Sequence, residues 1–259
     1  MPGHIMFDAR ACELNDHSTM PPRFHCPLPL AANQSLRLPA EVAHHALRVL
    51  RLTYGEPIVV FDGAGTEYLG ELIKLDGEAA VRLDRKLDVQ REAPLAVTLV
   101  QALAVADKMD WIVQKAVELG AVGVQPVDAE RCVLKLAGDR AGKRIEHWRQ
   151  VAVSAAEQCG RSHLCAVGEL QKLPAWLAQP MAGERWILAP EGGTKLSVMP
   201  RPTEPVSLLI GPEGGWSDKE LAAAQAAGCK PVSLGPRVLR TETAGLAALA
   251  AMMALWGDY

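Results

Sequence analysis

Short apolar runs alternate with helix-like segments from residue 95 to residue 256, and this alternation limits the possible folds most strongly. Residues 95–100 form a continuous apolar run, which is typical of a strand buried on both faces of a parallel sheet. Further strands are predicted at residues 122–127, 186–189, 206–210 and 231–234, and helices at residues 107–119, 141–159, 217–227 and 243–256. This order of elements predicts an α/β domain with a mainly parallel sheet.

Residues 23–86 show a different pattern, in which short strands and close turns surround one helix. Strands are predicted at residues 58–61, 68–73 and 80–83. The helix is predicted at residues 39–52, with Val42, Ala46, Val49 and Leu50 on one face. Short strands arranged in this way predict a small β-barrel of about 65 residues.

The domain boundaries follow from these two patterns. Residues 1–20 lack helical or strand periodicity and are expected to form a disordered extension, which need not belong to the native protein. Residues 87–94 are charged and end in Pro94, which indicates a linker. The predicted division is therefore an extension at 1–20, a barrel domain at 21–88 and an α/β domain at 89–259.

Composition excludes several classes of protein. Hydrophobic residues make up 49% of the chain and charged residues 22%, as in ordinary globular proteins. The longest uncharged apolar run, residues 244–256, is shorter than the roughly 20 residues that a membrane-spanning helix needs. The six cysteines form no C-x-x-C pair, and the adjacent His44 and His45 point to different helix faces, so we expect no metal. Reduced thiols and the lack of a signal sequence favour a cytoplasmic location.

Charge and tryptophan positions leave alternatives open. The net charge is only −3, but residues 131–161 carry seven basic groups against three acidic ones, a local charge of +4. This segment could face phosphates or simply form a solvated helix face.

The tryptophans at apolar helical positions are more typical of a core than of base-stacking platforms. They are Trp111, Trp148, Trp176 and Trp256.

The first candidate site is residues 208–217, where an apolar strand runs into three glycines and a helix follows at once. Ser217 and Glu220 fit a capping box, which predicts where this helix begins. Ligands of open α/β sheets bind at the carboxyl ends of strands, and glycines allow a ligand to approach the backbone closely. The segment is therefore either a ligand-binding loop or an ordinary turn between strand and helix.

A second candidate site, residues 234–245, also joins a strand end to a helix. Arg240 and Glu242 cannot both be buried here without partners. Thr241 or Thr243 could cap the helix. A charged, threonine-rich turn suits a polar ligand, although a salt-bridged helix cap would explain the same residues.

These two segments together resemble the RsmE family of 16S ribosomal RNA (uracil-N3) methyltransferases, which belongs to the SPOUT superfamily. Residues 107–111, 118–120 and 156–161 also resemble family motifs in the family's order, as do Lys115 and Arg131. The resemblance covers about residues 20–257. The twenty extra N-terminal residues and an additional proline before Arg23 depart from the family pattern.

The resemblance implies a C-terminal SPOUT α/β trefoil-knot domain, an N-terminal PUA-like RNA-binding barrel and a homodimer. It also implies an S-adenosylmethionine pocket built from three loops. The implied cofactor-binding residues are Leu188, Ala189, Pro190, Gly211, Pro212, Glu213, Gly214, Gly215, Leu234, Gly235, Leu239, Arg240, Thr241, Glu242 and Ala244. We expect a side chain at Gly214 to clash with the cofactor.

Catalysis and RNA binding are assigned on the same basis. The expected reaction is methyl transfer to N3 of a specific uridine in 16S rRNA of the small ribosomal subunit. Arg240 would favour the uridine anion, and Glu242 would hold Arg240 and the helix start. Phosphates are expected to contact Arg23, Arg48, Arg51, Lys108, Arg131 and Arg161. Two rivals stay open: a non-catalytic RNA-binding or ribosome-assembly protein, and a SPOUT methyltransferase acting on a ribose 2′-oxygen or another base.

Overall fold

The computed structural model describes residues 21–105, 107–180, 182–189 and 191–259, and these form two compact units. The expected disordered extension at 1–20 lies outside the described residues. The N-terminal unit contains residues 21–61 and 67–87, and the C-terminal unit contains residues 62–66 and the rest of the described chain from Asp88 to Tyr259. No helix in the described part of the chain is both long and apolar enough to span a bilayer.

The N-terminal unit is built on a five-stranded sheet with the order β1-β3-β4-β5-β2. Its strands are β1 (Arg23–His25), β2 (Ser35–Arg37), β3 (Pro57–Phe61), β4 (Glu67–Leu75) and β5 (Glu78–Leu87). β1 pairs with β3 in parallel, and the other pairs are antiparallel. The apolar runs predicted as strands at 58–61, 68–73 and 80–83 lie within β3, β4 and β5, and Phe24, Ile58 and Leu72 are fully buried in the core.

The helix predicted at residues 39–52 is shorter and less regular in the structure. Helix α1 covers Ala40–His44, and the chain continues as a π-helical turn over His45–Val49. Ala46 is buried, but Val49 and Leu50 are 59% and 44% exposed. The predicted apolar face was therefore wrong at its C-terminal end, because a π turn adds a residue per turn and rotates the following side chains away from the core.

The C-terminal unit alternates strands and helices, as the apolar runs predicted. Its strands are β6 (Val97–Ala102), β7 (Gly123–Asp128), β8 (Ala166–Val167), β9 (Gln171–Lys172), β10 (Glu184–Leu188), β11 (Thr194–Lys195), β12 (Val206–Ile210) and β13 (Lys230–Ser233). Its helices are α2 (Lys108–Glu118), α3 (Gly138–Cys159), α4 (Leu173–Leu177), α5 (Asp218–Ala226) and α6 (Thr241–Trp256). The short elements β8, β9, β11 and α4 escaped the sequence analysis, because two to five residues show no clear periodicity.

All strand pairs of this unit are parallel, and the main path runs β11-β13-β10-β12-β6-β7-β8. The central strands β10, β12 and β6 place Trp186, Leu208 and Leu99 in register, and all three side chains are fully buried. Because the strands are parallel, the carboxyl ends of β13, β10, β12 and β6 lie at one edge of the sheet.

Two polar groups anchor the helices beside the sheet. Asp110 on α2 accepts hydrogen bonds from the indole Nε1 of Trp148 and from His147 on α3, at 2.9 and 2.8 Å. Arg161 donates to the carbonyl oxygens of Val117 and Ala121 at 3.0 and 2.7 Å, which satisfies carbonyls at the C-terminus of α2. These contacts hold α2, whose first residue reaches the candidate site.

Candidate active site

A cleft of about 290 Å³ opens at the carboxyl ends of β10, β12 and β13. Most of its lining comes from the three segments that follow these strands. The mostly apolar lining and the few polar groups are typical of a site for a small molecule. The lining residues are Lys108, Leu188, Ala189, Ile210, Gly211, Pro212, Glu213, Gly215, Trp216, Ser233, Leu234, Gly235, Arg237, Val238, Leu239, Arg240, Thr241 and Ala244.

The segment after β12 is held in place at both ends, and residues 211–216 are called the glycine loop below. Helix α5 begins after Ser217, whose hydroxyl accepts from the backbone N–H of Glu220 at 3.2 Å, while the Glu220 carboxylate accepts from the Ser217 N–H at 3.0 Å. The predicted capping box is therefore confirmed. Arg131 donates to the carbonyls of Gly214 and Trp216 at 3.2 and 3.1 Å, so a side chain from outside the loop supports its backbone.

The segment after β13, residues 234–240, leads into α6 and is called the helix loop below. Arg240 occupies the N-cap position of α6, and no described side chain caps this helix. The prediction that Thr241 or Thr243 caps the helix was therefore wrong. Instead, the Thr241 hydroxyl donates to the carbonyl of Gly211 at 2.5 Å and accepts from Nε2 of Gln101 at 2.9 Å. Thr241, the first residue of α6, thus ties the start of this helix to the glycine loop and to β6.

Lys108, the first residue of α2, lies between two acidic side chains, one in the glycine loop and one in the first turn of α6. Its Nζ is 3.3 Å from the carboxylate of Glu213 and 3.2 Å from that of Glu242. Glu213 also accepts from the backbone N–H of Val105 at 3.0 Å. Glu242 was expected to hold Arg240, but the structure pairs it with Lys108, so that expectation was wrong.

The pKa values of this cluster reflect its pairing. Burial alone would lower the pKa of Lys108, but its contacts with Glu242 and Glu213 outweigh burial and raise it above 10.5. Burial alone would raise the pKa of Glu213, but hydrogen bonds from backbone N–H groups and from Lys108 lower it below 4.5. Lys108 and Glu213 are therefore charged at neutral pH, and one ammonium group connects the glycine loop to the first turn of α6.

The structure brings together twelve of the fifteen residues assigned to the cofactor. Pro190 lies outside the described residues, Glu242 pairs with Lys108 beside the cleft, and Gly214 is not part of the lining. A Cβ on Gly214 would lie 2.9 Å from the Cβ of Arg131. The close approach of Arg131 is therefore a packing reason for the glycine, and the expected clash with a cofactor stays a prediction.

Two of the six residues assigned to RNA phosphates are buried in internal ion pairs. The Arg23 side chain is 6% exposed, with one guanidinium nitrogen 2.7 Å from Glu67. Arg161 is 4% exposed and contacts Glu92 at 2.6 Å. Both assignments are corrected, because neither guanidinium faces solvent. Arg48 and Arg51 are exposed, whereas Lys108 and Arg131 support the two loops described above.

Part of the basic segment at residues 131–161 is likewise paired inside its own unit. Lys135 contacts Asp128 at 3.0 Å, and Arg149 contacts Glu169 at 2.6 Å. Together with Arg131 and Arg161, four of its seven basic residues thus have partners within the protein.

Trp148 and Trp176 are buried as predicted, but Trp111 is 52% exposed, so its assignment to the core was wrong.

The sequence assignment left out several residues of the site, of which Gln101 and Trp216 are the most informative. Gln101 is fully buried and donates to the hydroxyl of Thr241. In the sequence, its polar amide directly follows the apolar run of a buried strand, and this could have indicated a functional role. Trp216 lines the cleft and is 8% exposed. In the sequence, this tryptophan stands between a pair of glycines and the N-cap of a helix. A side chain at such a position is more often exposed to solvent, so a tryptophan there could have indicated a ligand site.

The chain matches two family models and several proteins of known description. Residues 91–253 match the model of the RNA methyltransferase domain, and residues 38–83 match that of the RNA methyltransferase PUA domain. A Synechocystis protein described as ribosomal RNA small subunit methyltransferase E is 35% identical over 219 residues, which cover 82% of this chain and 70% of that protein. A Bacillus subtilis protein of the same description is 31% identical and covers 82% and 87%.

Two solved structures are similar over almost their whole length. One is a ribosomal RNA small subunit methyltransferase E from Neisseria gonorrhoeae bound to S-adenosylmethionine, with a TM-score of 0.86, 38% identity, and coverage of 92% of this chain and 99% of that one. The other is a putative methyltransferase from Legionella pneumophila in complex with the same cofactor, with a TM-score of 0.88, 33% identity, and coverage of 93% and 100%.

Proposed function

The chain belongs to the ribosomal RNA small subunit methyltransferase E family, and on that premise we propose that it methylates N3 of a specific uridine in 16S rRNA. It is an enzyme that depends on S-adenosylmethionine. The observation that carries the proposal is the cleft at the carboxyl ends of β10, β12 and β13, in a chain that resembles cofactor-bound methyltransferases along its length.

The residues of the cleft fit the cofactor. Leu188, Ile210 and Leu239 offer an apolar lining for a nucleoside, and Gly235 takes a φ of +117°, which only glycine adopts readily. The indole N–H of Trp216 provides a donor that no described residue uses. These three segments would hold S-adenosylmethionine, which supplies an electrophilic methyl group when bound.

The residues of the chain account for the electrostatics of methyl transfer. N3 of uracil carries a weakly acidic proton, and its loss leaves negative charge that the neighbouring carbonyls share. Arg240 is an exposed residue that lines the cleft at the N-terminus of α6, where both its charge and the helix dipole favour an anion. We assign Arg240 as the catalytic cation, with Lys108 and Glu242 keeping its loop in position.

The architecture of the proposed enzyme follows the family. Its C-terminal domain, residues 89–259, is a SPOUT domain in which the loops around the cleft form a trefoil knot. Its N-terminal domain, residues 21–88, is a PUA-like barrel that binds RNA. The parallel sheet with its cleft and the match to the PUA domain model support this assignment. We further propose that the enzyme acts in the cytoplasm.

The RNA surface proposed for the N-terminal unit is centred on Arg48 and Arg51. Both are exposed, and they flank Val49 and Leu50, whose side chains the π turn directs to solvent. Tyr54, 45% exposed, adds an aromatic ring on which a base can stack. Cations contact phosphates and apolar rings contact unstacked bases, so this combination suits single-stranded RNA.

Salt-dependent binding tests this surface. Replacing Arg48 and Arg51 with Ala should weaken binding of 16S rRNA fragments and reduce the slope of affinity against salt by about 1 to 2. Arg37→Ala is the matched control, because Arg37 is also exposed on the N-terminal unit but is paired with Asp76 and Glu78. An unchanged slope in the double variant would remove this surface from the interface.

The activity itself is tested by analysis of modified nucleosides. 16S rRNA from a strain lacking the gene should lose N3-methyluridine, and the purified protein with S-adenosylmethionine should restore it. Loss of a 2′-O-methylated nucleoside would identify the rival SPOUT reaction. If no nucleoside changes while calorimetry shows RNA binding without cofactor binding, the protein is a non-catalytic binder and the proposal fails.

A further inference from the structure

The indole N–H of Trp216 lacks a hydrogen-bond partner among the described residues, although the side chain lines the cleft. Trp216 is 8% exposed, and its Nε1 is shielded from solvent. An indole nitrogen can only donate, and buried indoles generally find an acceptor, because an unmade bond leaves the desolvation of the donor uncompensated. The protein therefore keeps an unused donor at the edge of its ligand site.

The surroundings of Trp216 fix the position of this donor. Arg131 holds the Trp216 carbonyl at 3.1 Å, and the ring lies against Gly211, where a Cβ would be 3.3 Å from Cε2 and Nε1. The neighbouring carbonyl of Gly211 accepts its hydrogen bond from Thr241. A donor with a fixed backbone and a packed ring is preorganised, so little conformational freedom is lost when an acceptor arrives.

We propose that Trp216 Nε1 donates a hydrogen bond to the adenosyl half of bound S-adenosylmethionine, at a ring nitrogen or a ribose oxygen. This inference rests on the proposed function. The adenosyl half is assigned because Trp216 is buried beside an apolar lining that suits a nucleoside. The charged lining residue Arg237 is exposed, which suits the charged methionine half of the cofactor.

Nuclear magnetic resonance of the full chain with ¹⁵N-labelled tryptophan observes the donor directly. The six tryptophans give six indole signals, and Trp216→Phe identifies that of Trp216. Adding S-adenosylhomocysteine or 5′-methylthioadenosine should shift the Trp216 indole proton downfield. The indole of Trp186, which already donates to Glu184 at 3.0 Å, should shift less. A Trp216 signal that stays in place at saturation would overturn the proposal.

Calorimetry measures what the bond contributes to affinity. Trp216→Phe and a variant with 3-benzothienylalanine at this position, which keeps the bicyclic shape but has no N–H, should each bind both ligands about 5- to 20-fold more weakly. Trp176→Phe is the control, because Trp176 is also 8% exposed but lies outside the cleft. The benzothienyl variant remains informative if the Phe variant does not fold.

The outcomes separate this inference from the proposed function. A benzothienyl variant with normal affinity for both ligands would overturn the hydrogen bond. A loss seen with S-adenosylhomocysteine but not with 5′-methylthioadenosine would overturn the adenosyl assignment. A wild-type protein that binds neither these ligands nor S-adenosylmethionine would instead refute the proposed function, on which the inference depends.

Discussion

Arg240 combines features that suit a charge-stabilising residue. Its side chain is exposed and lines the cleft, while its backbone begins α6 and accepts from the N–H groups of Thr243 and Ala244. A cation next to a positively charged sulfonium is unfavourable in the resting complex and becomes favourable when the uridine anion forms. Arg240 therefore acts mainly in the transition state rather than in cofactor binding.

Arg240→Ala should reduce the single-turnover rate by about 10²-fold, the effect of removing one donor that stabilises developing charge. Cofactor affinity should change little, because the lost interaction forms mainly in the transition state. Rapid-quench kinetics and calorimetry measure the two quantities, and Arg201→Ala, an exposed arginine outside the cleft, is the control. A normal turnover rate would show that positioning alone carries the catalysis.

Gly214 is constrained by packing against Arg131 rather than by an unusual backbone angle. Gly214→Val should displace the Arg131 contact, lower the free energy of unfolding by about 1–3 kcal/mol and abolish cofactor binding, because the glycine loop moves with it. Denaturant unfolding and calorimetry measure both effects. Gly142→Val is the matched control, since a Cβ there meets nothing within 4 Å. Near-normal cofactor affinity in Gly214→Val would contradict this role of the loop.

Three elements meet at Lys108: the start of α2, the glycine loop and the start of α6. Each contact alone is a partly exposed ion pair of modest strength, so its importance lies in joining segments that are far apart in sequence. Thr241 and Gln101 connect β6 to both loops by a second route with neutral groups. The shape of the cleft thus depends on side chains at the ends of several elements.

Lys108→Met should weaken cofactor binding roughly 5-fold or more, because Glu213 and Glu242 lose their shared cation and repel each other. Lys108→Arg should restore part of the affinity. Calorimetry at two salt concentrations measures the loss, and Lys230→Met, which removes a lysine paired with Glu184 outside the cleft, is the control. Full affinity in Lys108→Met would exclude a positioning role.

The sign of the pKa shifts defines a pH window for this cluster. The pKa of Glu213 is lowered in the folded chain, so its contribution is complete above 4.5 and is lost as pH falls below that value. The pKa of Lys108 is raised, so its contribution is complete below 10.5 and is lost at higher pH. Cofactor affinity of the wild-type protein should therefore fall on acidification below 4.5, and that fall should be smaller in Lys108→Met.

At the scale of the whole molecule, we propose a homodimer formed through α2 and α6, which contact each other in the C-terminal unit. Trp111 on α2 and Leu255 on α6 are 52% and 46% exposed, so these two packed helices present large apolar side chains for a second copy to cover. Lys115 lies over the Trp111 ring at 4.9 Å and leaves much of the ring open. Burial of these side chains against a second copy would remove apolar surface from water.

Trp111→Glu should convert the protein to a monomer at micromolar concentration, because a charge at the proposed interface would be buried without a partner. Light scattering coupled to size-exclusion chromatography measures the mass. Val133→Glu is the control, since Val133 is 71% exposed and lies on neither helix. A wild-type protein that is itself monomeric would exclude the proposed dimer.

The sequence by itself determined the elements that have long, regular patterns. Each of the five strands and four helices predicted from residue 95 onward corresponds to an element of the structure, because continuous apolar runs and helical periodicity persist over enough residues. The capping box at Ser217 was also predictable, since it depends on residues three positions apart. The glycine loop and the helix loop were each predicted as candidate sites at a strand end, and the resemblance to the RsmE family joined them into one pocket.

Only the tertiary structure decided which partners the polar residues have. Arg23 and Arg161 resemble surface cations in sequence, but in the structure both are buried in ion pairs. Their partners, Glu67 and Glu92, are 44 and 69 residues away in the chain. Glu242 pairs with Lys108 rather than with its neighbour Arg240, and the indole N–H of Trp216 is left for a ligand. Sequence patterns report which face of an element is buried, whereas hydrogen bonds between distant segments depend on distances that only the folded chain sets.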